Sequence, residues 1–461
     1  MKNYTDTDKL IGSVKKIHMI GIGGSGMCPI AEILHTLGYR LTGSDNNQTE
    51  TLSRVQAMGV PVTVGHFAEN VHGAELVVYS AAIMQDNPEL VEARRLGIPT
   101  VERSLMLGYL TRRYDNVIGV CGTHGKTTTS SMITQILLEA KCDPSAVIGG
   151  KLPAIDGYGR CGQSDTMVCE SCEYVDTFLQ LSPDIAVLLN VDNDHMEYFK
   201  TMDNLVASFH KFLSFAGKAV IVNGDDERAL TAARGVTAKV ITFGRGSHND
   251  YYAENITMEH GAFAHFDVMH GGRLLLTATL SVPGEHNVYN AMAAITAALT
   301  VGVAPQDIAD SLPHFGGAGR RFEILGRRGG ITVADDYAHH PRELRVTLET
   351  AKKMDFNRVI AVFQPFTYSR TAMLMDDFAE VLSIADRVVL SEIMGSREKN
   401  TYGVYSSQLA DKIDGSVWFN TFDEIADYIA ANAEEGDLVI TLGCGDIYKA
   451  AKLILQKYDN K

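Results

Sequence analysis

An apolar strand that runs straight into a glycine loop and a hydroxyl-rich helix start limits this chain more than any other feature. Residues 117–121 (VIGVC) are followed at once by GTHGKTTT, residues 122–129. Glycines let backbone N–H groups converge on phosphate oxygens, the helix start adds partial positive charge, and a lysine spans two phosphates. The hydroxyl after the lysine suits a Mg²⁺ shell. The spacing is unusual, because GxxxxGKT would need glycine at Val120, whereas the glycines are Gly119 and Gly122. The core is therefore GxxGKT. Gly122, Thr123, His124, Gly125, Lys126, Thr127 and Thr128 are the expected nucleotide contacts.

Such a loop belongs to an α/β fold with a mostly parallel sheet. The chain has 461 residues, too many for one core, which suggests about three domains of roughly 150 residues each. The expected boundaries are 1–106, 107–314 and 315–461. Apolar residues make up 45% and charged residues 21%, with 42 glycines against 12 prolines, as in a compact, turn-rich enzyme. A formal charge of −15 argues against nucleic acid or an anionic membrane as the main partner. The start MKNYTDTDKL has no basic region followed by an apolar one, no apolar run approaches 18 residues, and the seven cysteines are irregularly spaced. A reduced, cytoplasmic setting without membrane insertion is expected. Monomer and homodimer both stay open.

The first section holds a strand at 17–20 and then GxGxxG at Gly21, Gly23 and Gly26. Pro29 falls in the first turn of the next helix, where a missing N–H costs nothing. A second strand, 39–42, ends at Ser44–Asp45, and a third, 76–79, ends at Ser80. This unit suits a nucleotide diphosphate and its ribose, either a dinucleotide coenzyme or a nucleotide sugar. Gly21, Gly23, Gly24, Ser25, Gly26, Met27, Asp45 and Ser80 are its candidate contacts.

The middle section adds strands at 166–170, 185–190 and 219–223 to the one before the phosphate loop, then a hairpin turning at Gly271–Gly272 near 251–282. A long small-residue helix follows at 284–302. Acids and a histidine at the strand ends are expected to face the nucleotide: Glu170 and Glu173 in CESCEY, Asp192, Asp194 and His195 in NVDNDH. Hard ions prefer oxygen, which favours Glu170. Cys169 and Cys172 form CxxC, but no fourth zinc ligand stands at a suitable spacing, so ordinary thiols are expected. The last section places strands at 331–334, 359–363, 387–390 and 438–442, the last running into GCGD at 443–446.

Together, GIGGSGM (21–27), GTHGKTTT (122–129), CESCEY (169–174), NVDNDH (190–195), GEHNVYNAMAAI (284–295), RRFE (320–323), DDYAHHP (335–341) and FQPFTYSR (363–370) resemble the Mur ligases. These are ATP-dependent amide-forming enzymes of peptidoglycan synthesis, and the resemblance covers almost the whole chain. It implies an N-terminal Rossmann-like domain for a UDP-sugar, a central P-loop ATPase and a C-terminal Rossmann-like domain for the incoming amino acid. It implies UDP-N-acetylmuramate and L-alanine as substrates, with another amino acid or a preformed peptide as the alternative acceptor. ATP and Mg²⁺ complete the set. It places Lys126 and Thr127 on ATP and Mg²⁺, Glu170 and His195 in the metal site, and Asn287 and Asn290 beside adenine. Arg321 and Asp336 are implied as further ATP contacts, with Tyr337, His340 and Arg370 near the amino acid. Lys126, His195, His340 and Arg370 are the residues expected to carry the chemistry. Phe366 stands where many relatives have His, Ser369 where Thr is common, and EIMGSREK (392–399) replaces a more usual Asp-Ile-Tyr-Pro-Ala-Arg-Glu. These departures touch the amino-acid pocket alone.

Overall fold

A computed structural model describes residues 4–396 and 398–459. Arg397, inside the divergent 392–399 segment, lies outside the described residues. The chain forms two compact units, one of Met1–Glu254, Asp267–Thr277 and Tyr289–Leu312, the other of Asn255–Phe266, Ala278–Val288 and Pro313–Lys461. Three sheets organise them.

The N-terminal sheet runs Val62–Val64, Arg40–Asp45, Lys16–Ile20, Leu76–Tyr79, Thr100–Glu102. All its pairs are parallel. Its order reverses at Lys16–Ile20, so the glycine loop leaves the strand end at a switch point, where ligands gather in open α/β sheets.

The main sheet is mixed. Its parallel centre runs Lys239–Gly244, Ala219–Asn223, Ile185–Leu188, Asn116–Cys121, Thr166–Glu170, Ser145–Leu152. Every residue of Ile185–Leu188 and Ala219–Asn223 is buried, as expected of strands covered on both faces. The strand expected at 185–190 stops at Leu188, because Asn190 turns out of the ladder to bond the phosphate loop. Gly157–Arg160 closes one edge antiparallel to Ser145–Leu152. At the other edge Phe263–His270 and Arg273–Pro283 are joined by Gly271 and Gly272, both at positive φ, which is the hairpin expected there.

The C-terminal sheet has the order Glu323–Arg328, Ile331–Asp336, Leu438–Leu442, Val359–Phe363, Arg387–Ser391, Val417–Phe419. Only its first pair is antiparallel. Among the described residues no helix is long and apolar enough to cross a membrane.

Candidate active site

The strand Asn116–Cys121 delivers the chain into the phosphate loop, and the helix Lys126–Glu139 takes it away. Gly125 caps that helix at φ +86, a conformation L side chains rarely adopt. A Cβ there would lie 2.3 Å from Asn290 Oδ1, so the glycine is required twice over. Asn190 fixes the loop from the neighbouring strand end. Its backbone carbonyl accepts the N–H of Thr123 at 3.1 Å and its Oδ1 that of His124 at 2.9 Å. The N–H groups of Lys126, Thr127 and Thr128 open the helix and have no intrahelical acceptor, which makes this end an anion cradle.

Lys126 does not wait in open space. Its Nζ donates to the carbonyls of Gly122 (2.6 Å) and Thr123 (3.0 Å) and pairs with Glu173 at 3.0 Å. Burial would lower the ammonium pKa, but the Glu173 carboxylate outweighs it, with Glu170 adding to the field, and the net shift is upward. The cation is thus held charged, on a carboxylate that occupies the place of an anionic partner.

Glu170 sits at the end of its strand, and its Oε2 accepts the Gly149 N–H at 2.8 Å. His195 adopts φ +56 at the start of the short helix Met196–Phe199. Its ring lies 4.8 Å from that of Tyr174, and Nδ1 is 3.7 Å from Asp194 and 3.6 Å from Glu197. Asp192 turns toward the loop instead, 3.4 Å from His124. Among the described residues no three His, Cys, Asp or Glu side chains converge as a cage for a metal ion. The oxygen donors Thr127 and Glu170 suit a hard cation that keeps several waters and completes its shell with phosphate. Cys169 is a free, buried thiol, pushed up to about 12 by burial and by Glu170 beside it.

In the N-terminal sheet the glycines each answer to a neighbour. Gly21 is at φ +76, and a Cβ on Gly23 would meet Leu52 and Asp45 at 3.0–3.1 Å. Ser44 O accepts the N–H of Gly21 (2.8 Å) and Ile22 (3.1 Å). Asp45 is not idle before a ribose arrives, since its Oδ2 accepts the Gly23 N–H at 3.0 Å. Gly24 and Ser25 are exposed, Met27 is buried, and Ser80 Oγ accepts the Ala82 N–H at 3.1 Å. A Cβ on Gly26 would fall 2.8 Å from Arg103 Nη1. Arg103, which carries no sequence signal, therefore brings a guanidinium to this loop. Beneath it, buried Glu89 accepts from Ser44 Oγ at 2.6 Å and stands 3.2 Å from His66.

The second unit holds the remaining candidates. Asn287 on the helix His286–Thr300 donates to Pro283 O at 2.8 Å. The carboxylate of Asp336 accepts the N–H groups of Phe322 and Ala338, both at 2.7 Å. Burial pushes its pKa up to about 6 against the pull of Arg321 and those N–H groups. Tyr337 is flanked by the guanidinium groups of Arg320 and Arg321, at 5.1 and 5.2 Å from its ring. His340 caps the helix Pro341–Lys353, its Nδ1 accepting the Arg342 N–H, so the structure gives it a structural task beside any chemical one. Arg370 rises from the helix Tyr368–Met373, and among the described residues its buried Nη1 has no hydrogen-bond partner. A buried cationic donor without an acceptor is costly, and a ligand carboxylate would relieve that cost. Ser369 binds the Glu398 carboxylate through both its N–H and its hydroxyl, so the divergent 363–370 and 392–399 segments hold each other.

Asp336 makes stability depend on pH. Its pKa is raised on folding from near 3.8 to about 6, so the folded state binds the proton more tightly. Its contribution therefore falls as pH rises through 4 to 6, by on the order of 3 kcal/mol, and is level above that. Carboxylates held below their ordinary range, such as Glu343 beside His339 and Glu89 beside His18, gain stability over the same rise, so the readout is a difference. Urea unfolding at pH 4 and 7 should show the wild type losing stability relative to Asp336→Asn as pH rises, and an equal pH dependence in the two would contradict it.

Family models match nearly the whole length: Mur ligase family, catalytic domain, at 16–115; Mur ligase middle domain at 120–298; and Mur ligase, glutamate ligase domain, at 320–445. The chain belongs to the Mur ligases. This Mur ligase is 43% identical to the UDP-N-acetylmuramate–L-alanine ligase of Agathobacter rectalis, over 96% of its own length and 98% of the relative's. It is 42% identical to the enzyme of that name from Caldanaerobacter subterraneus subsp. tengcongensis, with the same coverage. The crystal structure of UDP-N-acetylmuramate-alanine ligase from Thermotoga maritima superposes with a TM-score of 0.84 at 28% identity, covering 96% of this chain and 99% of that one. Three α/β domains with mostly parallel sheets are thus the architecture of this Mur ligase, as the sequence implies.

Proposed function

We propose that this Mur ligase joins L-alanine to the lactyl carboxylate of UDP-N-acetylmuramate at the expense of ATP, in peptidoglycan synthesis. The observation that carries the chemistry is the GxxGKT loop, with Lys126 held charged among carboxylates. Support for the substrates comes from full-length likeness to ligases of that name. The domain boundaries 1–106, 107–314 and 315–461 belong to this reading, beside matched segments of 16–115, 120–298 and 320–445. Use of ATP and a sugar nucleotide puts the reaction in the cytoplasm.

A carboxylate and an ammonium do not condense, because hydroxide leaves poorly and the protonated amine is no nucleophile. A lactyl carboxylate oxygen attacks the γ-phosphorus, the bond to ADP breaks, and an acyl phosphate forms. The alanine amine then attacks the carbonyl, and phosphate leaves with that oxygen. Bringing two anions together is the difficulty of the first step. Lys126 exchanges Glu173 for phosphate oxygens, and the helix start adds its N–H groups. Thr127, Glu170 and His195 would hold Mg²⁺, which when bound neutralises phosphate charge. Asn287, Asn290, Arg321 and Asp336 are assigned to the nucleotide, and the 21–27 loop, Asp45 and Ser80 to the UDP-sugar. Arg370 receives the alanine carboxylate in its planar fork beside Tyr337. His340 accepts the amine proton, or His195 does so where Thr127 and Glu170 alone hold the ion.

The test is purified protein with ATP, Mg²⁺ and UDP-N-acetylmuramate, surveyed against amino acids and a tripeptide by product mass. An adduct one alanine heavier is expected. An adduct with the tripeptide and none with any amino acid would overturn the reading.

A further inference from the structure

Glu170 is aimed by a residue no motif marks. The strand Ser145–Leu152 pairs with Thr166–Glu170 from Ser145↔Met167 to Val147↔Cys169, so Gly149 comes just past the ladder, beside the Glu170 side chain. Its N–H donates to Oε2 at 2.8 Å. A Cβ on Gly149 would stand 2.4 Å from Oε1, 2.6 Å from Oε2 and 2.7 Å from Cδ. Gly149 is not in the left-handed region, so its backbone alone does not demand glycine. The carboxylate does.

The strand is not free to give way. Its hairpin partner packs so tightly on the N-terminal helices that a Cβ on Gly159 would lie 2.3 Å from Pro29 Cβ. Arg54 donates to the carbonyls of Ile155 and Asp156. Lys151, two residues beyond Gly149, pairs with Glu50 and Asp156, which are both well exposed. Such pairs hold little energy.

We infer that Gly149 is a positioning residue for the metal site: its N–H fixes one oxygen of Glu170, and its missing side chain leaves room for the carboxylate. This rests on Glu170 being a Mg²⁺ ligand. Groups that orient a ligand typically set metal affinity by 10–100-fold.

The probe is Mn²⁺ affinity measured by electron paramagnetic resonance at saturating ADP, with thermal unfolding as the check on folding. Gly149→Ala should weaken Mn²⁺ binding about 10–100-fold, while Lys151→Ala, on the same strand, stays within about twofold because its ion pairs are exposed. Glu170→Ala should weaken it at least as much as Gly149→Ala. Should Gly149→Ala not fold, hydrogen exchange at the Gly149 amide decides, since it should quicken in Glu170→Ala. Wild-type affinity in Gly149→Ala, equal losses in Gly149→Ala and Lys151→Ala, or an unchanged amide exchange rate would overturn the inference. Unchanged Mn²⁺ affinity in Glu170→Ala would instead overturn the ligand role on which it rests.

Discussion

Lys126→Ala should reduce ligase turnover by a factor on the order of 10²–10³, the cost of losing one preorganised charge at a transition state. The sequence alone would have that variant fold normally. The structure adds a second effect, because Lys126, 14% exposed, is the partner of Glu173, which is 1% exposed. Removing one member of a buried ion pair strands the other, at about 3–5 kcal/mol. Lys126→Ala should therefore be less stable as well as inactive. The double variant Lys126→Ala/Glu173→Gln should recover most of the stability and none of the turnover. Urea denaturation read beside steady-state ADP release separates the two. Near-normal turnover in Lys126→Ala would remove the lysine from the chemistry, and a double variant no more stable than the single would remove Glu173 as its partner.

Arg370→Ala should raise the KM for L-alanine on the order of a hundredfold, since a charge-assisted pair to a buried carboxylate contributes roughly 2–5 kcal/mol. The KM values for ATP and the sugar nucleotide should hold within about threefold, because uniform binding of one ligand alone is lost. Positional isotope exchange in ATP, which reports the first step without alanine, should persist. Arg370→Lys should restore only part of the affinity, as an ammonium lacks the planar fork. An unchanged KM for alanine would assign the guanidinium to another ligand.

What the sequence made legible follows from which physics is local. Residues 117–129 announce strand, loop and helix in order, because glycine, lysine and hydroxyl placement is a short-range constraint. Fully buried runs such as Ile185–Leu188 and Leu438–Leu442 show themselves by continuous apolar character. The Ser145–Leu152 hairpin escaped, since SAVIGGKL and GYGR carry glycines where a strand is expected to carry β-branched residues. Their glycines answer instead to Glu170 and Pro29, contacts set by packing alone. Glu173 was visible as an acid near the site but not as the partner of Lys126, and Arg103 was not visible at all. The motifs mark Asp45 and His340 as ligand contacts, and in the fold their polar atoms also hold the glycine loop and a helix start. An ionisable group named by a motif thus has its chemistry legible in the sequence. The partner it keeps in the folded chain is written in the fold.

The most direct test of the ATP-driven ligation follows one oxygen atom. UDP-N-acetylmuramate labelled with ¹⁸O in its lactyl carboxylate, turned over with ATP and L-alanine, should transfer one label to inorganic phosphate and none to ADP. Phosphate free of the label, or label appearing in AMP, would contradict it.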